Sequence, residues 1–352
     1  MTILESKFAR VMLFPLSLLY GAAMSLRNVF YDTGLFKIHH LKRTKVISIG
    51  NISVGGTGKT PFAIFLARQL KSKDFKVAIL SRGYKRKSSG TIIVSDGKRL
   101  LTDSEAAGDE PYLIARSLPD VPVVCESDRY QGGRLIEEKF APDVIVLDDA
   151  FQHRRLHRDV DIVLIDATRF DQCKWVLPSG YLREPLSGLK RTDLICLSRA
   201  DQVKNLGKIV RKLENFSSCP IVITAHKPAR LIHAASGDDI PFESLKKNPV
   251  SLFSGIGNPD SFRKTIQALD FTVVDHLIFS DHHQFSLQDV NKIKTLTTKS
   301  RANAIITTEK DIVRLLPFSK KLPENLYYLL IEFDILQGEE KLLTLLDDLR
   351  YE

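Results

Sequence analysis

Residues 50–62 read GNISVGGTGKTPF, between a β-branched run (Val46, Ile47, Ile49) and the start of a helical pattern. Glycines in a turn between a strand and a helix aim successive backbone N–H groups inward, and a lysine beside them adds a cation, so the stretch is built to hold phosphate. The phosphate-loop pattern G-x-x-x-x-G-K-[ST] would start on a glycine at position 53, where the chain has Ser53. The rest holds: Gly55 and Gly56 turn the backbone, Gly58 permits close approach, Lys59 reaches the outer phosphates and Thr60 can ligate Mg²⁺. Ser53, Gly55, Gly56, Thr57, Gly58, Lys59 and Thr60 are thus the candidate nucleotide-binding residues.

Such a loop needs a second metal ligand at the tip of a neighbouring hydrophobic strand. VIVLDDAFQH offers Asp148 and Asp149, followed by Gln152 and His153, and DIVLIDA offers Asp166. The adjacent pair is preferred, since one aspartate can hold Mg²⁺ while the other orients water or a base. Capping of the following helix is the structural alternative. Further polar residues stand after apolar runs in SRGYKR (81–86), GDEPYLIAR (108–116), ESDRY (126–130) and PSGYLREPLSGLKRTD (178–193), where Arg82 or Arg129 could clamp a phosphate.

The elements that must position these residues alternate after residue 45 between short β-branched runs and helical stretches. Strands are expected at 45–50, 77–81, 121–125, 143–148, 161–165, 193–198 and 220–224, with a small hairpin turning at Asp96-Gly97. This predicts an α/β fold of the phosphate-loop NTPase kind: a mostly parallel sheet with helices on both faces and its binding loops at the strands' carboxyl ends. Residues 225–248, with two prolines and Gly-Asp-Asp, read as a linker holding one possible strand pair. A smaller α/β unit follows over 249–352, with Asn258 and Ser286 as helix caps. The expected division is 1–30, 31–224, 225–248 and 249–352.

The 352 residues are 43% hydrophobic and 26% charged, as in soluble globular proteins, and carry a net charge of +9 that favours anionic partners. Four cysteines without C-x-x-C spacing fit a reduced compartment. More than half of the net charge falls within residues 1–45, around the uncharged run VMLFPLSLLYGAAMSL (11–26). That run is short for a bilayer span and holds Pro15 and Gly21, and export would part the loop from cytoplasmic nucleotide. A helix lying on an anionic cytoplasmic leaflet fits every feature; a core helix is the alternative.

A guanine-nucleotide switch would show N-K-x-D where the chain has LSRAD (197–201), and the basic–aromatic interleaving of a nucleic-acid ATPase is missing, so no nucleic-acid partner is expected. SDHHQF (280–285) is compatible with a metal-dependent phosphoesterase, although the further acidic motifs of such a site do not accompany it. A kinase remains, with a non-enzymatic ATP-driven membrane switch as the other reading.

In order and spacing, VISIGNISVGGTGKTP, LSRGYKR, GDEP, VIVLDDAFQHRRL, LPSGYLREPLSGLKRTD, SGIGNP, SDHHQF and TTEKD resemble the tetraacyldisaccharide 4'-kinases of lipid A biosynthesis. The likeness spans nearly the whole chain, with Ala150 where the family usually has glycine. It implies transfer of the ATP γ-phosphate, with Mg²⁺, to the 4'-hydroxyl of a membrane-embedded acylated glucosamine disaccharide 1-phosphate, at the cytoplasmic face of the bacterial inner membrane. It further implies Lys59 and Thr60 at the phosphates, Asp148 and Asp149 at the metal, Glu184 in the metal or substrate region, and Asp109 with His282 as the pair that activates the acceptor. Tyr84, Arg129, Gln152 and His153 are taken as substrate contacts, and Arg154, Arg155 and Arg158 as either lipid-phosphate ligands or a solvated face. A monomer is expected.

Overall fold

The computed structural model describes residues 7–246 and 248–350. The first six residues of the expected N-terminal segment, Lys247 of the expected linker and the last two residues lie outside the described residues.

Thirteen strands form one sheet: β1 (Lys45–Asn51), β2 (Val77–Ser81), β3 (Ile92–Asp96), β4 (Pro122–Cys125), β5 (Val144–Leu147), β6 (Val160–Asp166), β7 (Leu194–Ser198), β8 (Ile221–His233), β9 (Asp239–Ile240), β10 (Pro249–Ser254), β11 (Thr272–Ile278), β12 (Ala304–Thr308) and β13 (Leu326–Gln337). The order is β11-β10-β12-β13-β8-β7-β6-β1-β5-β2-β4-β3, with β9 beside β8. The expected hairpin at Asp96-Gly97 has a very short return arm, a bridge from Ser95 to Leu100, and β3 pairs instead with β4.

Two halves, parallel except for the edge strand β3, meet at an antiparallel seam, β13 against β8. The first three residues of β8 pair with β7, and the first four of β13 pair with β12. Between those ends the two strands run as a ribbon, β8 being 13 residues long and able to span ~40 Å at about 3.3 Å per residue. Because β8 runs away from the first half and β13 away from the second, the carboxyl ends of both sets of strands face each other across the ribbon. A parallel seam would have put them at the same end of one continuous sheet. The topology therefore builds a cleft with binding loops on two walls, and its volume is about 950 Å³.

Helices cover both faces, as the sequence pattern predicts. In the first half α1 (Lys7–Asp32) lies at the periphery, and α2 (Lys59–Ser72) packs Phe62, Leu66 and Leu70 into a core shared with β1 and β5. The last helix, Glu339–Asp348, returns to that same core through Leu342 and Leu346. In the second half Phe262 and Ile266 of helix Pro259–Ala268 fill one side of the sheet, and Val290 and Ile293 of helix Leu287–Ser300 fill the other. Asn258 and Ser286 cap these two helices as expected. Pro15 and Gly21 do not interrupt α1, which is continuous, and long and apolar enough to cross a bilayer by length and composition.

Candidate active site

The phosphate loop joins β1 to α2, whose positive helix end faces the cleft. Gly58, at φ 95°, caps α2, and a Cβ there would collide with the His226 ring from β8, so the position admits only glycine. Lys59 is almost wholly buried and sits 3.5 Å from Asp149 Oδ1. Arg183 Nη1 meets the same oxygen at 2.9 Å.

Asp148 and Asp149 follow β5, the neighbour of β1, and point different ways. Asp149 occupies the left-handed region (φ 51°), which costs a non-glycine residue on the order of 1 kcal/mol. Burial opposes its ionisation, but Lys59 and Arg183 outweigh that and hold its carboxyl down at about 2. Asp148 accepts a hydrogen bond from Ser81 Oγ at 3.2 Å, and burial, with Glu110 and Asp149 adding repulsion, pushes it up to about 7. Asp148 Oδ1 and Thr60 Oγ1 are both buried without a hydrogen-bond partner. Two hard oxygens left unsatisfied beside a phosphate loop are the donor set a divalent magnesium ion takes, so the residues fit the cation. Asp166, the alternative ligand, is otherwise engaged: it pairs with Arg199 at 2.5 Å and accepts from Asn258 at 3.1 Å.

Across the cleft, His282 stands in the turn after β11, itself left-handed at φ 55°. Its Nδ1 lies 3.1 Å from Asp109 Oδ2, so residues 173 positions apart in sequence meet. Arg314 Nε donates to that same oxygen at 2.6 Å, and its Nη1 donates to Gly255 O at 2.7 Å. Burial opposes ionisation of Asp109, yet the His282 hydrogen bond and Arg314 hold it well below the usual carboxylate range. Lys310 Nζ meets Glu110 at 2.5 Å beside this pair. Tyr84, exposed at the end of β2, sets its ring edge-on to His282 with centroids 5.3 Å apart.

Other expected site residues have different surroundings. Glu184 is fully buried and accepts four hydrogen bonds: two from Arg191 at 2.8 and 2.9 Å, and one each from Gln152 and Asn28 at 2.9 Å. No lone pair is left over for a cation, and among the described residues no three His, Cys, Asp or Glu side chains gather as a metal-holding group. Glu184 thus anchors Arg191, Gln152 and Asn28 in this structure. Gln152 also donates to Asn51 O at 2.9 Å, a tie between strand ends. Arg129 is buried, donates to Glu126 O at 2.7 Å and Asp148 O at 3.3 Å, and is lowered to about 10 by burial. Burial and Arg129 bring His153 down to about 4, leaving a neutral ring whose Nε2 has no partner. Arg154 pairs with Asp32 and Arg158 with Asp161, while Arg155 meets Asp128.

Sequence reasoning quoted Ser81, Glu110 and Lys310 only inside longer motifs and passed over His226, all four lining the cleft, and passed over Arg314 behind Asp109. Lys310 and Arg314 find their partners some two hundred positions away, so no local spacing announces them.

The tetraacyldisaccharide-1-P 4'-kinase family model matches residues 9–350. A tetraacyldisaccharide 4'-kinase of Syntrophus aciditrophicus is 41% identical over 326 residues, covering 90% of this chain and 87% of the relative. That of Aquifex aeolicus is 41% identical over 337 residues, 96% of this chain and 98% of the relative. A crystal structure of LpxK from Aquifex aeolicus in complex with ATP superposes with a TM-score of 0.76 at 39% identity, covering 97% of this chain and 99% of that one. The phosphate loop, the carboxylates beside it and the likeness along the full length together place this chain in the tetraacyldisaccharide-1-P 4'-kinase family.

Proposed function

We propose that the cleft transfers the γ-phosphate of ATP to the 4'-hydroxyl of an acylated glucosamine disaccharide 1-phosphate presented at a membrane surface. The observation that carries this reading is the meeting of two half-sites: a phosphate loop with two unsatisfied buried oxygens on one wall, and a histidine–carboxylate pair on the other.

The amides of residues 55–60 and Lys59 would cradle the nucleotide's phosphates, and Lys59 would exchange its partner Asp149 for the outer phosphates. Thr60 and Asp148 would hold Mg²⁺, which when bound neutralises charge building on the transferred group. Arg183 keeps Asp149 ionised and fixed after Lys59 moves. A sugar hydroxyl is too weak an acid to react unaided, so the His282–Asp109 pair would take its proton as the bond to phosphorus forms. Arg314 holds Asp109 against His282 and ties that pair to the second half of the molecule. Tyr84, Arg129 and His153 remain candidates for acceptor contacts, with Arg129 acting by orienting the Asp148 backbone.

α1 would lie on the bilayer. Phe8, Val11, Met12, Leu16 and Leu19 are exposed, and Trp175, packed at 4.8 Å on Phe14, extends that apolar surface. An acylated acceptor stays in the leaflet, so the enzyme must come to it; ATP places that leaflet on the cytoplasmic side. In this division residues 31–224 grip the nucleotide, and the loops after β10, β11 and β12 serve the acceptor.

The test is incubation of purified protein with Mg-ATP and a diglucosamine lipid 1-phosphate in vesicles. A product heavier by one phosphate is expected; release of inorganic phosphate alone, with the lipid unchanged, would overturn the reading.

A further inference from the structure

The inward face of α1 is polar at regular intervals. Ser17 Oγ accepts from Ser179 N at 2.8 Å, Tyr20 OH donates to Arg183 O at 2.8 Å, Asn28 Nδ2 donates to Glu184 Oε2 at 2.9 Å, and Arg27 donates to Gln152 O. Positions 17, 20, 27 and 28 recur with the helical period, so they share one side while the apolar residues face out. Gly21 lies on the inward side too, where a Cβ would press to 3.3 Å from Val176.

All but one of these four hydrogen bonds fall on a single strip, residues 179–184, and the strip's other edge is paired with the entrance to the phosphate loop. Val54 N donates to Tyr181 O and Arg183 N donates to Ile52 O, both at 2.8 Å, with a bridge from Ser53 to Leu182. From the strip Arg183 reaches Asp149 at 2.9 Å. The remaining contact, Arg27 to Gln152 O, falls on a residue whose side chain links Asn51 O to Glu184. A helix serving only as an anchor would need its outward apolar face and a tether; it would not need hydrogen bonds to a strip that edges the loop.

Resting on the kinase reading above, we propose that α1 is a positioning element of the reaction: Ser17, Tyr20 and Asn28 set the strip 179–184, and through it Arg183 and the start of the phosphate loop. Binding to the bilayer and alignment of the phosphate-holding groups would then depend on one helix.

Experiments without a membrane separate this role from anchoring. The acceptor is a water-soluble disaccharide 1-phosphate carrying acetyl groups in place of long acyl chains, and Mg-ATP binding is read in parallel by titration calorimetry, which needs no acceptor. The variants are Tyr20→Phe and Asn28→Leu on the inward face and Leu19→Ser on the outward face, with the folded fraction taken from near-UV circular dichroism. Per folded molecule, Asn28→Leu is expected to lower kcat about tenfold and Tyr20→Phe about threefold, with the KM for the soluble acceptor unchanged, as small misplacements of a phosphate-holding group do. Both are expected to weaken Mg-ATP binding by about threefold or more, since they loosen the loop's entrance. Leu19→Ser should match wild type in both measurements and lose activity only on vesicles. Wild-type turnover and Mg-ATP affinity in both inward variants would overturn the proposal, as would equal losses in Leu19→Ser. Transfer by wild type on vesicles tests the kinase reading by itself.

Discussion

The half on one side of the β8–β13 ribbon, six parallel strands with the antiparallel edge strand β3, carries Lys59, Asp149, Arg183 and Asp148, and each of these finds a partner on its own side. The three strands on the other side carry His282, Lys310 and Arg314 on their loops and following helix, and each of those is met across the gap, by Asp109 or Glu110. The nucleotide-holding wall thus pairs these groups within itself, whereas on the acceptor-activating wall each draws a carboxylate from the other half, Arg314 keeping Asp311 at 3.1 Å on its own side as well. Loss on the first wall should abolish grip, and loss on the second should spare grip and stop transfer.

The largest effect should come from Lys59→Ala, with kcat/KM lower by on the order of 10³ and ATP affinity lost alongside, read by phosphate transfer to lipid and by calorimetry. Next is His282→Ala, or Asp109→Asn, for which kcat should fall by about 10² or more while the ATP dissociation constant moves by less than about twofold. If ATP affinity fell with turnover in these variants, the contrast between the walls would be wrong. Gly257→Ala sharpens it: a Cβ there would sit 2.7 Å from Gly56 N, where the two halves touch. Holding them apart should raise the KM for ATP and lower kcat by roughly tenfold each, with the fold intact by circular dichroism.

The smallest effect concerns pH. Asp148, raised to about 7 by burial and by Glu110, favours the fold in its neutral form, so its contribution is present in acid and is lost as pH climbs through about 7. Asp149, held at about 2 by Lys59 and Arg183 against burial, contributes above the ordinary carboxylate range and loses that contribution only as pH falls through about 2. Between pH 5 and 8 the Asp148 effect therefore dominates. Without Mg²⁺ the Tm should drop by a few degrees across about that interval, and Asp148→Asn should remove the slope. Adding Mg-ATP at pH 8 should raise the Tm of the wild type more than that of the variant, which keeps the loop's grip on the nucleotide and lacks the magnesium ligand.

Much of the first half was legible from sequence because its strands, apart from the edge strand β3, are buried on both faces and read as apolar runs ended by polar residues. The ribbon was not. AHKPARLIH, with its proline, read as part of a linker holding one possible strand pair, and the structure runs a long strand through it, accommodating Pro228 where the register slips, opposite Ile331. LYYLLIEFDILQ passes from one core across the cleft to another, so its burial follows no single period. Among the site residues, Asp148 and the phosphate loop were readable as local motifs. The surroundings of Glu184 were not readable, because its four hydrogen bonds come from Asn28, Gln152 and Arg191, and nothing in its own stretch reveals them all.

The last helix packs Leu342 and Leu346 beside α2, and Asp347 meets Lys73 at its end. The chain thus leaves the nucleotide-holding half along β8 and comes home along β13, which makes everything between an insertion and not a tail. Cutting the protein after residue 224 would strip a helix out of the half it was meant to isolate. A split that respects the fold would instead join the end of β8 to the start of β13 by a short turn, keeping 338–350 and discarding the inserted lobe.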